Sequence, residues 1–252
     1  MNSLYLAQHL LNDGVLTADD VRALLPKCEA AEPCDEILAA AHEKKATEST
    51  KFAQALVDEG RLVMADALDL IEKYSAEDAD AHPVATAVGK LADESVDYEL
   101  PSYCEFCEIF LRSFIRFMDT PAVVSVEPPI FGDVSETHIV TQKLSGDLTF
   151  VTGIFTSDDM FVEMAKRYSH EDIEEVDELA IDSLQEFLNV INGLFAVDMA
   201  KQQRDIDLDA PQVIANSMPG GSNTLKVEVI SGIGDFVLMT ATDEIAFREF
   251  ME

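Results

Sequence analysis

The stretch DSLQEFLNVINGLFAVDMAKQQRDIDLDAP, Asp182 to Pro211, carries two patterns at once. Asp182, Glu186, Asn189 and Gly193 are spaced 4, 3 and 4 apart, which on an α-helix stacks them on one face. Leu184, Leu188, Ile191, Leu194 and Phe195 lie between them and are expected to turn inward. The outward stripe is then two carboxylates and an amide, ending at a glycine where another backbone can come close. Such a stripe is a candidate site, although acidic and amide side chains at this spacing also make an ordinary solvated face.

The flanking elements set the fold class. Ser169 with Asp172 three residues on resembles a capping-box start for the stripe helix. A shorter helix is expected over Asp158–Tyr168, and before it His138–Leu144 and Leu148–Phe155 read as a hairpin around Ser145-Gly146-Asp147. Upstream, Ala122–Val126 reads as a strand, and a helix over Cys104–Met118 shows Phe106, Cys107, Phe110, Phe114 and Phe117 on one apolar face. After the stripe come a strand near Val213, a Pro219-Gly220-Gly221 turn, and a hairpin of Leu225–Ile230 with Phe236–Thr242 around Gly232 and Gly234. Helices with antiparallel strands make this an α+β domain.

The N-terminal part differs. Tyr5–Leu25 and Lys51–Ile71 are copies at an offset of 46 that share Ala7 with Ala53, Gln8 with Gln54, Leu10 with Leu56 and Gly14 with Gly60. Each copy reads as helix, glycine C-cap and second helix, with Thr17 and Asp19 able to cap the second helix of the first copy. Two such hairpins make a small bundle. The expected organisation is a helical repeat domain over 1–75, an acidic linker over 76–102 broken by Pro83 and Pro101, and the α+β domain over 103–252. A short helix over Ala85–Ala92 is compatible with that linker.

Lys+Arg 17 against Asp+Glu 49 gives a net charge of −32, which repels phosphate backbones and anionic membranes. Nucleic acid and membrane are therefore not expected partners. No signal peptide or membrane span is evident, so a cytoplasmic location is expected. Cys104 and Cys107 have CxxC spacing, but Cys28 and Cys34 form no matching pair, so the four read as buried reduced thiols and no metal site is expected. The five histidines are scattered, and none forms a nucleophilic arrangement with Cys or Ser.

On these residues, roughly 100–252 resemble the CheX/CheC family of chemotaxis phosphatases. The family signature is Asp or Ser, three residues, Glu, two residues, Asn, and a Pro about twenty-two residues on. Asp182, Glu186, Asn189 and Pro211 match it at the right spacing, Gly193 matches the position four after the Asn, and the order of surrounding elements agrees. The motif occurs once, as in CheX. Leu188 departs from the glycine often found before the Asn, and a bulkier side chain there is expected to hinder a partner's approach. The resemblance implies hydrolysis of the aspartyl-phosphate of a CheY-like response regulator. Asn189 would orient the attacking water, Glu186 would pair with the regulator's lysine, and Asp182, Gly193 and Pro211 would support them. It implies no cofactor on this chain, Mg²⁺ on the partner receiver, and a homodimer through sheet edges. The chemistry is consistent, because an acyl phosphate mainly lacks a positioned water and a neutral amide positions one without adding charge. The alternative is a non-catalytic adaptor that binds a receiver, with the helical region for localisation or docking.

The N-terminal repeat bears a weaker resemblance to the cyclic-di-GMP-binding N-terminal domains of secretion and pilus ATPases. Leu10-Leu11 with Gly14 and Leu56-Val57 with Gly60 match the core of that motif. Tyr5, Ala7, Lys51 and Ala53 replace its opening Arg and Gly, and Cys28 and Tyr74 its closing Gln. Nucleotide binding is therefore not expected there, and a bundle that docks a partner or mediates assembly is.

Overall fold

A computed structural model of the chain describes residues 4–44, 50–77, 82–92, 100–131, 136–220, 224–242 and 244–249. The repeat folds as two helical hairpins. α1 (Leu4–Asn12) and α2 (Ala18–Cys28) form one, and α4 (Thr50–Asp58) and α5 (Met64–Glu77) the other. Between them lies α3 (Asp35–Lys44), which the sequence pattern does not bring out. Gly14 at φ 69° and Gly60 at φ 66° occupy the left-handed region. Equivalent bonds close each first helix: Val15 and Arg61 N–H donate to the Leu10 and Leu56 carbonyls, each at 2.9 Å. A side chain at such a φ is strained, which is why glycine stands in both copies. Thr17 caps α2 reciprocally with Asp20, the two backbone N–H bonds both 3.1 Å. Asp19 instead pairs with Arg22 at 2.6 Å.

α6 (Pro83–Leu91) falls within the stretch read as an acidic linker and buries Val84, Ala87 and Val88 in the C-terminal core. Residues 78–81 and 93–99 of that stretch lie outside the described residues. α7 runs Leu100–Met118, with Pro101 in its first turn, where a missing N–H removes no helical bond.

The strands are β1 (Ala122–Val124), β2 (Thr137–Gly146), β3 (Phe150–Ser157), β4 (Ile206–Leu208), β5 (Gln212–Ala215), β6 (Ser217–Pro219), β7 (Thr224–Ser231), β8 (Gly234–Ala241) and β9 (Phe247–Glu249). The main sheet has the order β1-β7-β8-β3-β2-β4 with β5 also paired to β2, all antiparallel; β6 and β9 form a separate pair. Both expected hairpins form, with His138 opposite Thr156 in one and Val229 opposite Phe236 in the other. Pro219 closes β6 instead of opening a turn, and 221–223 lie outside the described residues.

Alternation along β2 and β3 sends Val140, Leu144, Phe150 and Ile154 to the helix-covered face, and Ile139, Val151 and Phe155 to the other. α7, α8 (Asp158–Ser169) and α9 (Glu178–Lys201) pack around the first face. Phe106 meets Phe195 edge-on at 5.5 Å and Phe110 meets Phe187 at 5.9 Å, which ties α7 to α9.

The stripe helix starts later than Ser169 suggests. Ser169 ends α8, its hydroxyl donating to the Ala165 carbonyl at 2.8 Å, and His170 turns left-handed at φ 59°. Asp177 caps α9 by accepting from Ala180 N–H at 2.9 Å. Of the residues expected to face inward, Leu184, Leu188, Ile191 and Phe195 do, but Leu194 is 47 % exposed.

The N-terminal helices and the sheet share core. Val123 of β1 and Ile230 of β7 are buried within the N-terminal cluster. Gln8 is fully buried, donates to the Val124 carbonyl and accepts from Val124 N–H, each at 2.8 Å. Arg22 reaches the β7–β8 hairpin, pairing with Glu228 at 3.0 Å and with Asp235. The N-terminal helices thus cover the edge strand β1, whose open backbone would otherwise invite pairing.

Candidate functional site

Past α9 the chain doubles back. β4 pairs with β2, Leu208 opposite Leu144, which lays the Leu208–Pro211 segment alongside the helix. Gln185 Nε2 donates to the Pro211 carbonyl at 3.0 Å and ties that segment to α9. An open groove results, lined by Asp182, Gln185, Glu186 and Asn189 from the helix and by Leu208–Pro211 from the loop. Four of the five sequence-singled residues therefore meet at one place: Asp182 and Glu186 exposed, Asn189 and Pro211 half-buried. Gly193 lies one turn beyond, off the groove, with open space where a Cβ would stand. Leu188 is fully buried, so it does not crowd the approach to Asn189; the helical phase sends it into the core. Beyond Gly193 the exposed side of α9 continues as Leu194 and Val197, 47 % and 57 % exposed.

Asn189 is held from behind. Gln142 Nε2 donates to Asn189 Oδ1 at 2.8 Å and to the Asp209 carbonyl at 2.7 Å. Gln142 Oε1 accepts from Asn192 Nδ2 at 2.7 Å, and the same nitrogen donates to Thr152 Oγ1 at 2.9 Å. Gln142 and Thr152 are cross-strand partners on β2 and β3, and Asn192 of α9 bonds to both. The motif spacing does not point to these three. The available signal was a polar residue at core phase: Gln142 alternates with Val140 and Leu144, and Thr152 with Phe150 and Ile154.

Electrostatically the groove is acidic, with Asp182, Glu186 and Asp209 on its walls. Burial, and then the Glu186 charge, push the Tyr168 phenol above its ordinary range. Such a groove favours a cation against Glu186 and leaves the neutral Asn189 amide free of an attached charge.

The thiols lie off the groove. All four are free. Burial pushes Cys28 up to about 12 and Cys104 to about 11, and raises Cys107 further. Cys28 and Cys107 are buried as expected, whereas Cys34 and Cys104 are only half-buried. Among the described residues no cluster of His, Cys, Asp and Glu could hold a metal ion, and no helix is long and apolar enough to cross a membrane.

The sequence model of the family described as chemotaxis phosphatase CheX matches residues 138–229, which include Asp182, Glu186, Asn189 and Pro211. The C-terminal region is a CheX-like domain. Solved structures similar to the chain include a CheX from Desulfovibrio desulfuricans (11% identity, TM-score 0.48, covering 57% of this chain and 99% of that one). A CheX from Vibrio vulnificus is similar at 16% identity and TM-score 0.45, covering 57% and 99%. The CheX–CheY–BeF3–Mg²⁺ complex from Borrelia burgdorferi is similar at 18% identity and TM-score 0.44, covering 61% and 99%. No curated protein matches. In the CheX-like domain the matched segment runs from β2 to β7 and so contains the whole groove, while the helical repeat lies outside it.

Proposed function

We propose that the CheX-like domain hydrolyses the aspartyl-phosphate of a CheY-like receiver. One observation carries the reading: Asn189, its carbonyl oxygen anchored by Gln142, borders an open groove beside Glu186 and Pro211. Asn189 enters the receiver's active site, and its carboxamide orients a water in line with the phosphorus. Positioning of this kind lowers a barrier by several kcal/mol, about 7–11 at the upper limit. Glu186, one turn away, pairs with a lysine of the receiver and fixes the register of the two proteins. Asp182 adds negative charge to the same wall and serves docking. Mg²⁺ belongs to the receiver, and this chain supplies no ligand to it.

The helical domain packs at the β1 edge, whereas the groove lies beside β2 and β4 at the other side of the sheet. It therefore leaves the groove open. A homodimer through sheet edges would have to use the β4/β5 side, because Gln8 occupies the backbone of β1. The proposed setting is the cytoplasm, where receivers are phosphorylated.

The test is phosphate loss from a phosphorylated CheY-like receiver with wild-type protein and with Asn189→Ala. The expected outcome is acceleration by the wild type that Asn189→Ala loses while binding survives. Binding without acceleration, across several receivers, would establish the adaptor reading in its place.

A further inference from the structure

Gln142, Asn192 and Thr152 sit where strand alternation and helix phase call for apolar side chains, and they are 1 %, 0 % and 0 % exposed. Buried amides are costly unless every polar atom finds a partner. Here the partners also dictate direction. The Asp209 backbone carbonyl can only accept, so the Gln142 atom 2.7 Å from it must be the nitrogen. The second hydrogen of that nitrogen points at Asn189, 2.8 Å away, so Asn189 must present its oxygen. Gln142 Oε1 is then left to accept from Asn192 Nδ2, whose other hydrogen meets Thr152 Oγ1. Rotating the Asn189 amide by half a turn would set two NH₂ groups against each other.

We propose that Gln142 is the positioning residue for Asn189: the buried Gln142–Asn192–Thr152 relay locks the Asn189 carboxamide with Oδ1 inward and Nδ2 toward the groove. The proposal rests on the phosphatase reading of Asn189 and specifies how that residue meets its target. Asn189 offers both Nδ2 hydrogens and the one remaining lone pair of Oδ1 to the attacking water and a phosphoryl oxygen. The bond accepted by Oδ1 draws electron density from Nδ2 and strengthens it as a donor. The same Gln142 nitrogen holds the Asp209 carbonyl, so a single atom sets the spacing between the helix wall and the loop wall of the groove.

The experiment uses the full chain with Gln142→Met, which keeps the length of the side chain and removes its amide, together with Thr152→Val and Asn189→Ala. Two readouts are taken: ¹⁵N relaxation of the Asn189 side-chain NH₂, and kcat and KM on a phosphorylated CheY-like receiver. In wild type the Asn189 amide is expected to be as ordered as rigid backbone, and in Gln142→Met its order parameter is expected to fall below about 0.6. kcat falls about tenfold to hundredfold, by more than KM changes, because the Asn189 amide loses its geometry while Gln185 still ties the loop wall to the helix. Thr152→Val, which removes the far link only, gives a smaller change of the same kind. A folded Gln142→Met with an unchanged Asn189 order parameter and unchanged kcat overturns the proposal. If Gln142→Met does not fold, Thr152→Val decides by the same two readouts. If Asn189→Ala hydrolyses as fast as wild type, the phosphatase reading fails by itself, and the relaxation data alone then decide whether Gln142 holds Asn189.

Discussion

Gln8→Met removes one carboxamide from the contact of α1 with β1 and leaves the side-chain volume nearly unchanged. Gln8 commits both ends of its amide to Val124, bonding its N–H and its carbonyl at 2.8 Å each, and reaches Asn12 Oδ1 at 3.1 Å. Val124 is fully buried, and its other neighbour in the sheet is Val229 of β7. Methionine would leave a donor and an acceptor of Val124 without partners. At about 1–3 kcal/mol for each buried orphan the loss is about 2–6 kcal/mol, reduced to about 2–4 as the interface relaxes and admits water. The repeat supplies an internal control. Gln54, the equivalent residue, accepts from the Cys34 N–H at 3.0 Å and donates to Asp58 at 2.7 Å, and Asp58 is exposed. Gln54→Met therefore orphans a single backbone group, at about 1 kcal/mol. Urea unfolding of both variants, with hydrogen exchange of the Val124 amide, measures the difference. The expected result is at least twice the loss for Gln8→Met, with faster exchange at Val124. Equal losses, or a Val124 amide as protected as in wild type, would refute the account of Gln8 as the cap of the sheet edge.

Two further outcomes follow from the titrating groups. Burial first, and Asp235 next, raise Glu228 above its ordinary 4.5, against the opposing pull of Arg22. The folded state thus holds this proton more tightly than the unfolded chain, and the contribution is lost as pH rises from 4.5 through the folded value. Glu228→Gln should accordingly gain stability relative to wild type as pH rises across that window, read from urea midpoints at several pH values; a difference that is flat or of opposite sign contradicts it. In native protein at pH 8, iodoacetamide should spare Cys28 and Cys107, whose thiols are buried and shifted upward, and label Cys34 first. Mass spectrometry before and after denaturation checks the order.

Local rules were legible where a residue's environment lies close in sequence. The glycine stops at Gly14 and Gly60 repeat because a helix terminus needs a left-handed residue, whatever lies around it. The stripe on α9 was legible because 3.6-residue periodicity alone stacks Asp182, Glu186 and Asn189. The start of α9 is not legible in the sequence because EDIEEVD offers several acidic caps, and Asp177 rather than Ser169 is where the backbone turns into the helix. α3 does not stand out in the sequence because its short run falls between the two repeat copies. Leu194 is exposed despite its apolar spacing because helical phase specifies an angle but not how far the neighbouring layer extends.

The sequence by itself determined the alternation of strands and helices, the duplicated helical hairpin and the residues of the Asp182–Pro211 motif, since each depends on spacing within one element or one turn. Only the tertiary structure decided that Gln8 closes the edge strand, a contact spanning 116 residues, while its repeat partner Gln54 serves a loop. The same residue at equivalent positions of the repeat acquires different roles because its partners arrive from distant parts of the chain. The same holds at the site. Gln142 became the anchor of Asn189 only when β2, β3 and α9 were stacked, because a buried amide takes its orientation from whichever fixed donors and acceptors the fold places around it.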